Sequence, residues 1–151
     1  MADPTLYNEQ DRKLMQISYA SRCKSRLHEL IEFAKNSGMK RIGIASCRTM
    51  MTYAPLLKKS LENAGFEVFL TDCKESGLQN SDILGDAYKG PSCDPASQAE
   101  YLNNCQTELN IDFGLCLGHG LIFAQKSKAP VTAFVVKDFA TNHNTLSSLN
   151  D

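Results

Sequence analysis

Four of the six cysteines in this 151-residue chain fall where one element hands over to the next. Cys47 ends the apolar run KRIGIASC, Cys73 ends FEVFLTDC, and Cys116 lies in GLCLGHGLIFA as an apolar stretch gives way to glycines. Cys93 directly precedes Asp94 and Pro95, a capping side chain followed by proline at the first helical position. Thiolates are soft ligands, and four of them complete a tetrahedral zinc site or the four iron positions of a cubane. Such a centre carries a net charge of about -2, which Arg48, Lys74 and His119 nearby would offset. The gaps of 26, 20 and 23 residues between these cysteines contain no C-x-x-C pair, so their convergence depends entirely on the fold. Cys23 and Cys105 sit on apolar helical stripes and read as packing.

His119 reads as a ligand, a proton donor to a substrate, or a cap beside Gly118. His143, in TNHN, either returns over the site or lies exposed in the tail, and His28 sits between polar helix neighbours. Gly118 and Gly120 open a helix, with Asp138 downstream as in a dinucleotide fingerprint. The match is poor, because Phe123 occupies the third glycine position and the turn follows the third strand rather than the first.

The elements that must position these residues follow from periodicity. Asn8 and Asp11 cap a long helix whose stripe is Ala20, Cys23, Leu27, Leu30, Ile31 and Ala34, ending at Gly38. The run to Cys47 reads as a buried strand, followed by a helix irregular at Pro55 and closed at Gly65. A second strand ends at Cys73. Residues 74–92 form a long loop with room for one helical turn. A helix from Asp94, a third strand IDFGLCL, a short helix and a fourth strand PVTAFVV complete the chain. Strands apolar throughout and alternating with helices predict a three-layer α/β fold of four mainly parallel strands, order 2-1-3-4, with helices on both faces and a long N-terminal helix. Ligands of such sheets collect outside the carboxyl ends of the strands.

The length suits a single domain, 1–151, with residues 1–10 as a flexible N-terminus and 139–151 as a tail. Sixteen basic and seventeen acidic residues give a net charge of -1, which offers no attraction to nucleic acid or to an anionic membrane. No segment resembles an export signal, and no run approaches the roughly 18 apolar residues of a membrane span. The reading is a cytoplasmic protein that meets a small-molecule substrate or an electron or sulfur donor. The N-terminal helix offers a surface for a homodimer.

RLHELIEFAKNSGMKRIGIASC, FEVFLTDCK, SCDPASQAEYLN, TELNIDFGLCLGHG and SKAPVTAFVVKD followed by NHN together resemble a family of uncharacterised bacterial and archaeal proteins, described as predicted metal-binding proteins of unknown function. The likeness spans residues 25–149 and rests on the combination C-[ND]-P, G-L-C-x-G-H and K-A-P-V-T. It implies a metal site with no assigned reaction and marks Cys47, Cys73, Cys93, Cys116, His119 and His143. Many relatives begin with a separate cysteine-rich segment thought to bind zinc. The first 22 residues here have no cysteine, so the resemblance implies that this further site is missing. Relatives also tend to carry an acid after the G-H pair, where this chain has Gly120.

The expectation is a cysteine-ligated centre at the carboxyl rim of the sheet, an iron–sulfur cluster used in redox or sulfur chemistry. Cys47, Cys73, Cys93 and Cys116 are its ligands, Arg48, Lys74, Gly118 and His143 line it, and His119 and Cys47 are the catalytic candidates. Zinc or another soft ion held without turnover is the first alternative. A metal-free thiol enzyme with Cys47 as nucleophile is the second.

Overall fold

The computed structural model describes residues 1–22 and 24–150; Cys23, assigned to a helical stripe above, lies outside them. The chain divides into two compact units, Met1–Lys40 and Arg41–Asp151.

The first unit is a pair of helices, α1 (Glu9–Ser21) and α2 (Arg26–Asn36), which pack on each other. The pattern that reads as one helix is broken between them. Arg22 leaves α1 in an extended conformation, and the Ser25 side chain accepts from the His28 N–H to start α2 afresh. Serine competes well for the unsatisfied N–H groups of a helix start, so a cap inside an otherwise continuous stripe divides it. Asn8 and Asp11 form the expected capping box of α1.

The second unit is the predicted α/β sheet. Strands β1 (Arg41–Ser46), β2 (Glu67–Asp72), β3 (Leu109–Phe113) and β4 (Val131–Val135) are all parallel, in the order β2-β1-β3-β4. Helix α3 (Ala54–Asn63), with Pro55 in its first turn, packs on β2 and β1; α5 (Pro95–Asn104) packs on the same strands and on α6 (Leu117–Lys126). Along β1, alternation puts Gly43 toward Leu102 of α5 and sends the fully buried Ile42 and Ile44 to the other face. The two central strands are therefore covered on both sides, which is why they read as unbroken apolar runs.

The loop after β2 holds one short helix, α4 (Asn80–Leu84). Its base is closed by backbone bonds from Ser92 to Leu78, 2.8 Å, and from Asp94 to Cys73, 2.7 Å. After β4 come two 3-10 turns, Phe139–Thr141 and Thr145–Asn150. No helix among the described residues is long and apolar enough to cross a membrane.

Candidate thiol site at the sheet rim

The carboxyl ends of the strands are fixed by hydrogen bonds that continue the ladder one residue past each end. Cys47 N–H donates to the Phe113 carbonyl (3.3 Å), Cys73 N–H to Ser46 (3.0 Å) and Gly114 N–H to Val135 (3.0 Å). Gln98 of α5, 2% exposed, donates from Nε2 to the carbonyls of Ser46 (3.2 Å) and Thr71 (3.1 Å). One side chain thus clamps β1 and β2 just before their cysteines, and both Cys47 and Cys73 are buried.

Cys93 immediately precedes Asp94, whose side chain accepts from Ser97 N–H to cap α5. Cys116 lies beyond the end of β3 and is the N-cap of α6. Both are half-buried. Four thiols therefore do reach one rim, and they do so as two pairs. The Cys73 and Cys93 sulfurs are 3.6 Å apart. Cys47 and Cys116 share the ammonium of Lys137, whose Nζ is 3.1 Å from one Sγ and 3.0 Å from the other. The pairs are linked electrostatically, because charge on Cys47 acts on Cys73. Among the described residues, no group of three or more His, Cys, Asp or Glu stands in a geometry that would hold a metal ion.

The pairs differ in acidity. Burial pushes the Cys47 thiol up, but bonds from Thr49, with Oγ1 at 3.1 Å, and the charge of Lys137 outweigh it and the net shift is downward. Cys47 caps a 3-10 turn of only three residues, so Lys137 and Thr49 rather than a helix dipole favour its thiolate. Burial and the neighbouring thiols Cys93 and Cys47 push Cys73 up to about 12, against a bond donated by the Arg48 N–H at 3.3 Å. Burial lowers the pKa of Lys137, but its hydrogen bonds and charge interactions with the sulfurs of Cys116 and Cys47 outweigh that and hold it protonated.

A pH effect follows. The unfolded Cys73 thiol ionises near pH 8.5, whereas the folded one stays protonated to about 12. Within that window the unfolded state gains charge that the folded state refuses, so Cys73 disfavours folding increasingly as the pH rises. Melting of wild type and Cys73→Ala at pH 8 and pH 10 checks this: the wild type should lose more stability over the interval.

The other candidates are placed as follows. The Arg48 side chain pairs with Asp72, so its backbone, not its guanidinium, serves the thiols. Lys74 reaches the Pro91 carbonyl at 3.4 Å, across the base of the 74–92 loop. Gly118 is exposed in the first turn of α6, and His119 is half-buried in the same turn. His143, with φ 66°, is folded back on the turn after β4: its Nδ1 accepts from Asp138 N–H at 3.0 Å and its ring lies edge-on to Phe139. Cys105 is the C-cap of α5, away from the paired thiols.

Lys137 and Asp112 are among the site residues that the sequence reading missed. Lys137 follows β4, and extending the strand-end rule from cysteines to any ionisable side chain would have found it. Its approach depends on Gly114, at φ 70°, where a Cβ would stand 2.8 Å from Met50 Cγ and 3.3 Å from Lys137 Cβ. Asp112 of β3 is the second. Burial raises its pKa against the pull of the Leu115 N–H, and its Oδ2 lies 2.6 Å from where a Cβ of Gly120 would be. The acid absent after the G-H pair would thus face a carboxyl already there.

Comparison with known proteins agrees with this chain's sequence pattern. An uncharacterized protein of Methanocaldococcus jannaschii is 42% identical over 130 residues, covering 83% of this chain and 67% of that protein. The family model described as "Protein of unknown function (DUF1847)" matches residues 4–134, a span holding the four rim cysteines and His119 but not Lys137 or His143. The chain belongs to the DUF1847 family of proteins of unknown function.

Proposed function

We propose that the protein binds a soft metal ion through the thiols of this rim, with Cys73 and Cys93 as the founding pair and Cys47 and Cys116 as the further donors. The observation that carries this reading is the 3.6 Å between the Cys73 and Cys93 sulfurs. Two thiolates on one tetrahedral zinc, each about 2.3 Å from the ion, lie roughly 3.8 Å apart. Cysteines of a cubane sit on different irons and stand farther from one another, so this spacing favours a single ion over the iron–sulfur cluster expected from the sequence. The donor set fits such an ion in chemistry, sulfur throughout. The metal would supply charge to hold the thiolates together. Lys137 holds the Cys47 and Cys116 thiols while they are free, and the buried Cys73 resists ionisation until a cation offsets its charge.

Metal and sulfide analysis of protein purified without oxygen tests this, together with a titration of the stripped protein by cobalt(II). A stoichiometric soft ion without sulfide, and an intense sulfur-to-cobalt band that Cys93→Ser weakens, is the expected result. Stoichiometric iron and sulfide would return the cluster to first place, and no binding of either metal would overturn the reading.

The acidity of Cys47 favours a second reading, a thiol enzyme with Cys47 as nucleophile, its thiolate held by Lys137 and Thr49. It requires that Cys47→Ser abolish turnover in protein that carries no metal.

A further inference from the structure

Cys73 and Cys93 stand at the two ends of the 74–92 loop, and their backbones are already joined. Asp94 N–H donates to the Cys73 carbonyl at 2.7 Å, and Ser76 Oγ donates to Asp94 Oδ2 at 2.7 Å. A disulfide needs a sulfur separation of about 2.05 Å, and here the sulfurs are 3.6 Å apart with no side chain between them. Bond formation therefore requires the sulfurs to close from 3.6 Å to about 2.05 Å. The entropy of closing the loop is already spent in the hydrogen bonds at its base. The other pair is arranged differently, since Cys47 and Cys116 are each bonded to the Lys137 ammonium rather than to each other.

We propose that Cys73 and Cys93 form a reversible disulfide that closes the base of the 74–92 loop and reports the thiol–disulfide state of the surroundings. The oxidant is a low-molecular-weight disulfide. Cys93, half-buried where Cys73 is 2% exposed, attacks one sulfur of that disulfide as its thiolate. The oxidant's S–S bond breaks and one small thiolate leaves, which takes up from water the proton that Cys93 released. The sulfur of Cys73 gives up its proton to water and attacks Cys93 in the mixed disulfide, and the second small thiolate leaves and takes a proton back from water. Two protein thiols are oxidised and one external disulfide is reduced to two thiols. Once Cys93 is in the mixed disulfide, its charge no longer opposes ionisation of Cys73. This chemistry belongs to the free thiols and stands whether or not the rim binds metal. If it does, the same bond removes two donors at once.

The experiment is titration of the metal-stripped 151-residue protein with oxidised glutathione, quenching with iodoacetamide and mapping of the linked peptides by mass spectrometry. The expected result is loss of two free thiols with the Cys73 and Cys93 peptides joined, reversed by reduced glutathione. A dominant link between Cys47 and Cys116, or a stable glutathione adduct on Cys93 with Cys73 still open to alkylation in the unfolded quench, would overturn it. Repeating the titration with one equivalent of zinc separates this inference from the metal reading. Link formation that zinc leaves unchanged keeps the disulfide and counts against the metal, whereas zinc protection supports both.

Discussion

Lys137→Met should slow alkylation of Cys47 at neutral pH, because a thiol reacts as its thiolate and the ammonium favours that form. Burial by itself pushes Cys47 up; the hydrogen bonds of Thr49 and the Lys137 ammonium at 3.1 Å are what bring it down. Methionine keeps the length and apolar stem of lysine and removes the charge. Cys105 at the end of α5 is the internal standard. Peptide-resolved alkylation rates decide the matter. An unchanged Cys47 rate would show that the ammonium does not support the thiolate, and equal slowing of Cys105 would point to a general rearrangement. The sign for stability follows from the same shift. A thiol whose pKa is depressed by folding adds stability above its ordinary value near 8.5, and that contribution is lost as the pH falls through the depressed value. Wild type should therefore gain on Lys137→Met as the pH rises from 6 to 9.

Gly43→Ala should destabilise the protein by about 3 kcal/mol, at the upper end of what overpacking a tight core costs. A Cβ at this position would lie 2.3 Å from Asn110 Oδ1 and 2.7 and 2.9 Å from the two δ carbons of Leu102. Neither neighbour has room to yield. Leu102 and Asn110 are both fully buried, and Asn110 is held on two sides, by Thr107 Oγ1 donating to its Oδ1 at 2.7 Å and by its own Nδ2 donating to Ser127 Oγ at 2.6 Å. Gly43 and Asn110 are register partners of β1 and β3, so the methyl group would press on the junction of the two central strands. Urea unfolding monitored by circular dichroism measures the loss. A change under about 1 kcal/mol would mean that the sheet relaxes around the added carbon more freely than its packing suggests.

The sheet was legible because its signal is local. RIGIAS and the other strands are short apolar runs bounded by turns, and burial on both faces requires such runs in a parallel sheet. Asp94–Pro95 marks a helix start within two residues, and Gly65 marks a helix end. The break at Ser25 was less legible, because the apolar stripe continues across it while the capping bond that interrupts the helix is one hydroxyl. Asn110 fell just outside the strand read as IDFGLCL, and its role in a buried polar network needed Thr107 and Ser127 placed beside it.

For the site, the sequence by itself determined which elements deliver the thiols: a parallel strand must end at the rim, so a cysteine closing the first or second strand is carried there by connectivity alone. Only the tertiary structure decided how the thiols associate. Pairing Cys73 with Cys93 depends on the path of a loop with no period of its own, closed by the bond between Asp94 and Cys73. Pairing Cys47 with Cys116 depends on Lys137, which follows the edge strand and approaches because Gly114 lacks a side chain. Distances of about 3 Å between residues 21 to 90 positions apart depend on the packed sheet and on the side-chain conformations that burial permits, and neither is written in the spacing of cysteines along the chain.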